Sequence, residues 1–111
     1  MKLEKLIDKC KVLNIHGNKD VDVEHLTSDS REVQTGSLFI AVEGINTDGH
    51  DYIAKAIEQD VLVVIYDKPI FEEYFSRVTY VQVENTSVAL AQIASEWYDN
   101  PSQKLKLVGV T

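Results

Sequence analysis

The chain has 111 residues, enough for one compact domain to fold without disulfide or metal staples. Its apolar fraction of 44% is that of an ordinary globular protein, and 11 basic against 18 acidic residues give a formal charge of −7. That balance excludes a broad nucleic-acid surface, which needs a basic stripe, but leaves room for an anionic small molecule held by local amides and one arginine.

The N-terminal residues Leu3, Leu6, Ile7 and Cys10 fall at i, i+3, i+4 and i+7, one face of a short amphipathic helix. The charged start, Met1 to Lys5, lacks the apolar core of a signal peptide, and no apolar run approaches membrane-spanning length. Cys10 is the sole cysteine, which rules out an internal disulfide and fits a reducing, cytoplasmic setting. Gly17 to Asp20 reads as a turn. Val21 and Val23 alternate with Asp22 and Glu24, so a short strand leads toward Leu26. Ser37 to Val42 is a strand bracketed by Gly36 and Gly44.

Asn46-Thr47-Asp48-Gly49 has strong turn chemistry, and Ile53, Ala56 and Ile57 behind it recur at helical spacing. A helix is expected over 50–59. Val61 to Tyr66 is a continuous, β-branched run, too short for a buried helix, and reads as a strand covered on both faces. Pro69 to Phe75 reads as a helical turn or short helix and Val78 to Val83 as another strand. Asn85 can cap the next helix, whose stripe is Leu90, Ile93, Ala94 and Trp97 and whose stop is Asn100-Pro101-Ser102. Leu105, Leu107 and Val108 begin a last strand.

Strands alternating with helices predict an α/β domain, a three-layer-like sandwich with a largely parallel sheet flanked by helices. There is no internal repeat or low-complexity segment. The last strand has no helix to return over the sheet, so the chain reads as a piece of a longer protein.

The cluster Thr27-Ser28-Asp29-Ser30-Arg31 carries the chemistry. Hydroxyls and successive backbone N–H groups in a tight turn can accept phosphate oxygens, and an arginine adds a planar charged fork. On the residues alone, a turn capping its own backbone is the commoner arrangement. Asp29 and Arg31 either pair to hold the turn's shape or leave the arginine free for a diphosphate. His50 has no nucleophile or metal-ligand partner by motif and is read as packing over a turn capped by Asp48 or Thr47. His16 and His25 are isolated, Trp97 is core, and Glu72-Glu73 is solvated surface.

Three pieces together, "DSREVQTGSLFIAVEG" (29–44), "DGHDYIAKAI" (48–57) and "WYDNPSQKLKLVGVT" (97–111), resemble the N-terminal region of the Mur ligases, the ATP-dependent amino-acid ligases of bacterial cell-wall synthesis. The last piece looks like the MurE type, which adds the third residue of the stem peptide. The resemblance implies a UDP-substrate-binding domain at 1–106, with 107–111 starting a central ATP-binding domain. It implies that Ser28 and Ser30, with Ser30 foremost, and the second loop Ile45-Asn46-Thr47 contact the UDP part of UDP-N-acetylmuramoyl-dipeptide, with Arg31 as a further candidate. A uracil offers one N–H donor and two carbonyl acceptors, which backbone amides, an Asn and a Thr can match.

The resemblance places the catalytic residues, ATP and Mg2+ downstream, so none is assigned to this chain. The implied partners are the UDP-linked dipeptide and the central and C-terminal domains, with no nucleic acid or membrane. The alternatives are the first domain of the fourth-step ligase, which shares the Asp-Ser-Arg and Asp-Gly-His pieces, and a non-catalytic α/β interaction module.

Overall fold

A computed structural model of the protein describes residues 1–44, 48–68 and 78–99. Among these residues five strands form one sheet in the order β1-β5-β4-β3-β2. They are β1 (Val12–His16), β2 (His25–Thr27), β3 (Ser37–Ile40), β4 (Val63–Tyr66) and β5 (Thr79–Val83). Strands β2 to β5 are mutually parallel, and β1 closes the far edge antiparallel to β5. The sheet is therefore mixed but largely parallel, as the alternation of elements predicts.

The side-chain period of 2 divides each central strand between two cores. Leu38, Ile40, Val63, Ile65, Val81 and Val83 point to one face, where they meet Leu3 and Leu6 of α1 (Leu3–Leu6) and Ala89, Ile93 and Trp97 of α3 (Thr86–Asp99). Phe39, Ala41, Val64, Tyr66 and Tyr80 point to the other, where Ile53 and Ala56 of α2 (Ile53–Glu58) cover them. All four residues of β3 and of β4 are buried, the signature of strands sealed on both faces. Helices on both sides of a sheet make the expected three layers.

Several local expectations are revised. The amphipathic stripe at the N-terminus is buried as read, with Leu3, Leu6 and Ile7 in the core, but the helix proper stops at Leu6. The following bend, with the Cys10 N–H bonding Ile7 O at 3.0 Å, turns the chain into β1. Residues Val21 to Val23 do not join the sheet. They bond back to the N-terminus, Leu3 N–H to Val21 O at 3.0 Å and Val23 N–H to Met1 O at 2.7 Å, so β2 starts only at His25. Strand β1 escapes the pattern reading because its register with β5 shifts between Val12 and Asn14. That irregularity breaks the alternation by which a strand is recognised.

The 50–59 helix is a 3-10 turn, Gly49–Tyr52, feeding α2. The helix ends at Glu58, and the turn after it passes through Asp60, whose φ of 64° is the left-handed conformation that Asp tolerates better than most residues. Asn85 caps α3 as expected, its Oδ1 accepting from Val88 N–H at 3.1 Å. The expected helical turn over 69–75, the helix stop at 100–102 and the strand from 105 lie outside the described residues, as does the 106/107 boundary.

Replacing Ile65, fully buried between α1, α3 and the sheet, with Ala should destabilise the protein by about 3 kcal/mol in urea unfolding. The same measurement on Leu13→Ala, a strand residue 57% exposed, should give less than about 0.5 kcal/mol. Equal losses at the two positions would contradict the layer assignment.

Candidate functional site

Parallel pairing puts the carboxyl ends of β2 and β3 side by side, with Thr27 opposite Phe39. Ligand chemistry collects at this end of parallel sheets, because the strands stop and their loops are free to differ. The loop after β2 is Ser28 to Glu32, and the turn Gly49–Tyr52 rises beside it. Between them lies a cleft of about 460 Å³ lined by Ser28, Asp29, Ser30, Arg31, Phe39, Val42, Gly49, Tyr52 and Lys55.

The first wall is self-bracing. Thr27 Oγ1 accepts from Asp29 N–H at 3.0 Å, and Asp29 Oδ1 accepts from Arg31 N–H at 2.9 Å, which starts the 3-10 turn Ser30–Glu32. These are local side-chain-to-backbone turns of the kind Ser, Thr and Asp favour. Arg31 folds back on the same carboxylate, Nε to Oδ1 at 3.1 Å and Nη2 to Oδ2 at 2.8 Å. The side-chain and backbone hydrogen bonds from Arg31 hold Asp29 well below its ordinary 3.8, at about 2. Of the two arrangements open to the pair, the structure has the scaffold: Arg31 is tied to Asp29.

Ser30 is 7% exposed, and its carbonyl accepts from Gln59 Nε2 of the α2 cap at 2.5 Å, which anchors the loop to the helix behind it. No hydrogen bond within the described residues uses the Ser30 hydroxyl, so it remains available in the cleft lining. Ser28 beside it is exposed. The sequence-derived pair thus lies in one cleft. Ile45, Asn46 and Thr47 lie outside the described residues.

The second wall depends on a glycine. Gly49 donates its N–H to Val42 O at 2.9 Å, and a Cβ there would meet Val42 N at 2.7 Å and Ala41 Cα at 3.0 Å. Only Gly lets the turn close this tightly on the end of β3. Asp48 caps the turn, Oδ1 accepting from His50 N–H at 3.0 Å. The His50 side chain is only 7% exposed, with Nδ1 2.6 Å from Asp48 Oδ1, and its Nε2 accepts from Asp67 N–H at 3.1 Å. A proton on Nδ1 matches these two hydrogen bonds, and Nε2 also lies 3.2 Å from Asp67 Oδ1. Asp67 in turn accepts through Oδ2 from Thr86 N–H at 2.9 Å and Thr86 Oγ1 at 3.1 Å, capping α3.

Lys68 bonds Asp48 and ion-pairs Glu43 at 3.0 Å, while Glu43 and Asp48 also form an antiparallel bridge. Burial pushes the Asp48 carboxyl up, but the hydrogen bonds from Lys68 and His50 outweigh it and leave the group well below its ordinary value. The same contact with Asp48, followed by that with Glu43, raises Lys68. His50 is therefore a structural strut, as its isolation in the sequence suggests. It ties the ends of β3 and β4 and the start of α3 together.

Tyr52 and Lys55 are lining residues that the sequence reading misses. Gly49, Tyr52 and Lys55 recur every three residues along the turn and the first turn of α2, so they line one side while Ile53 and Ala56 are buried on the other. That split is available as a helical-wheel signal. Among the described residues no group of three or more His, Cys, Asp or Glu could hold a metal ion. No helix among them is long and apolar enough to cross a membrane.

The layered, largely parallel sheet with a polar cleft at its carboxyl edge defines an α/β domain with a candidate binding site. Comparison with known proteins narrows the class: the family model described as "Mur ligase family, catalytic domain" matches residues 22–98. The chain belongs to the Mur ligase family. It is 43% identical over its whole length to a UDP-N-acetylmuramoyl-L-alanyl-D-glutamate–2,6-diaminopimelate ligase of Cytophaga hutchinsonii, of which it covers 23%. It is 39% identical, with the same coverage, to the proteins of that name from Clostridium tetani and Bacteroides fragilis.

The chain thus spans about a quarter of the length of these curated relatives. Among solved structures, MurF from Acinetobacter baumannii superposes over 92% of this chain and 22% of its own, with a TM-score of 0.71 at 21% identity, a likeness of fold alone. MurF from Thermotoga maritima, in complex with ADP, gives a TM-score of 0.59 at 29% identity over 70% of this chain and 17% of its own.

Because Asp29's folded-state value is depressed, the unfolded chain binds more protons between 3.8 and about 2. The pair's contribution is present above that window and is lost as pH falls through it. It is small, since Arg31 is 80% exposed and solvent screens the pair. An NMR titration of the Asp29 carboxyl should give a midpoint near 2, rising in Arg31→Gln but staying below 3.8, because the backbone N–H of residue 31 still donates to the carboxylate. An unmoved midpoint would mean that the pair is not formed in solution.

His50→Ala removes the acceptor for Asp67 N–H and a donor to Asp48. It should destabilise by about 1–3 kcal/mol, measured by urea unfolding. A loss within about 0.5 kcal/mol would refute the strut.

Proposed function

We propose that this chain is the N-terminal, substrate-anchoring part of a ligase of peptidoglycan synthesis. It grips the UDP end of UDP-N-acetylmuramoyl-L-Ala-D-Glu so that the complete enzyme can add the third stem-peptide residue. The observation that carries the reading is the cleft at the carboxyl ends of β2 and β3, lined by Ser28, Ser30 and Arg31, in a chain with diaminopimelate-ligase relatives. Ser30 and Ser28 bind the nucleotide, with Ile45, Asn46 and Thr47 as the second contact. Arg31 shapes the first loop.

Residues 1–106 form the UDP-substrate-binding domain, and 107–111 begin the central domain of the same chain. The wider reaction runs through an acyl phosphate and needs ATP and Mg2+. The resemblance to the family assigns the metal and ATP sites to the central and C-terminal domains. The setting is the cytoplasm, where UDP-linked precursors are made. The names of the relatives favour the third-step reaction over the fourth. Identity of 36–43% across the whole chain weighs more than the similarity of fold to MurF at 21%.

Remote binding of this kind lowers the barrier at a distant centre by holding the reacting carboxylate in place. In an NMR titration with UDP, then with UDP-N-acetylmuramoyl-dipeptide, the amides of residues 28–31 and 49–55 should shift. Ser30→Ala should weaken binding about three- to tenfold. Amides in both segments that stay unmoved at millimolar ligand would sink the reading of this cleft as a nucleotide site.

A further inference from the structure

The cleft is lined by one acid, Asp29, and two bases, Arg31 and Lys55, in a chain whose formal charge is −7. The bases are not equivalent. Arg31 spends Nε and Nη2 on Asp29, at 3.1 and 2.8 Å, so the pair presents almost no net charge to a ligand. Lys55 forms no ion pair within the described residues and is exposed on the cleft side of α2. A cleft lacking Lys55 would be neutral inside an acidic protein and would have nothing to offset the charge of an entering anion.

Building on the nucleotide reading of this cleft, we propose that Lys55 is the residue that meets the diphosphate, and that Arg31 is a positioning residue that does not. Three features support the division of labour. Lys55 stands one turn beyond Tyr52 on the same side, and Gly49 precedes Tyr52 at the same spacing, so all three line one wall. Ser28 and Ser30 line the opposite wall, so a ligand held by the hydroxyls lies between them and the Lys55 stem. A lysine also suits a diphosphate, because its ammonium is a compact point charge on a flexible four-carbon stem, able to follow either phosphate. Arg31 has no such freedom, because its fork and its own backbone N–H share one carboxylate.

The experiment is a calorimetric titration of the protein with UDP, UMP and uridine, comparing the natural chain with Lys55→Gln, Lys55→Arg and Arg31→Gln. Lys55→Gln should weaken UDP about tenfold, the scale of one charge-assisted hydrogen bond, weaken UMP less, and leave uridine unchanged. Lys55→Arg should recover most of the UDP affinity. Arg31→Gln should weaken uridine and UDP by the same factor, because it loosens the turn carrying Ser30 and removes no phosphate contact.

Lys55→Gln with unchanged UDP affinity overturns the assignment, as does an equal loss for UDP and uridine. A UDP-selective loss in Arg31→Gln reverses the roles and overturns it too. A natural chain that binds none of the three ligands overturns the nucleotide reading, whereas one that binds UDP and ignores Lys55 overturns only this proposal.

Discussion

The constraint on which the rest depends is the burial of β3 and β4 on both faces. With α1 and α3 on one side and α2 on the other, every residue of these strands is buried, Tyr66 being the most exposed at 6%. Polar chemistry is excluded from the sheet surface and confined to the strand ends. Parallel pairing of β2, β3, β4 and β5 then brings four carboxyl ends to a single edge. The cleft and the His50 network both sit there for that reason, one over β2 and β3 and the other bridging toward β4 and α3.

The two polar assemblies at this edge differ in energetic weight. The Asp29–Arg31 pair is exposed, so solvent screens it and its value is geometric: it fixes the turn that presents Ser30. The His50 network is much better shielded, with side-chain exposures of 7% for His50 and about 20% for Asp48 and Asp67. Hydrogen bonds there are worth more, and an orphaned partner costs more. The network closes on backbone donors at both ends, the His50 N–H at the 3-10 turn and the Thr86 N–H at the start of α3. Two element starts are thereby capped by carboxylates that also bracket one imidazole. A single substitution at His50 loosens both.

How much of this is legible in the sequence follows from the same physics. Sealed strands announce themselves as unbroken apolar runs, so Val63 to Tyr66 and Leu38 to Ile40 can be read directly. Strand β1 cannot, because its register shift scrambles the alternation and Leu13 is left 57% exposed. Residues 21–23 alternate like a strand, but their partner is the N-terminus, and pairing partners are not encoded in a period. At the site, the hydroxyl cluster is visible as composition. The commitment of Arg31 to Asp29 is one of two arrangements the spacing allows, and three-dimensional proximity decides between them. Tyr52 and Lys55 escape notice because a charged residue on a short helix reads as solvated surface until a facing wall is known.

That facing wall bears on what the proposed substrate-holding role requires. A ligand carried by a long flexible substrate contributes to a distant reaction only if its anchor is rigid; a mobile anchor would return the positional entropy that binding removes. Each wall of the cleft meets that demand with local bonds: Thr27, Asp29 and Arg31 on one side, Gly49 pressed against Ala41 and Val42 on the other. Gln59 then ties Ser30's carbonyl to the cap of α2, which joins the first wall to the helix that carries Lys55 of the second. What such a frame leaves adaptable is a charge on a flexible stem. If the cleft takes the UDP handle as proposed, a rigid cradle with one adaptable cation would tolerate small differences in diphosphate conformation while fixing the nucleoside.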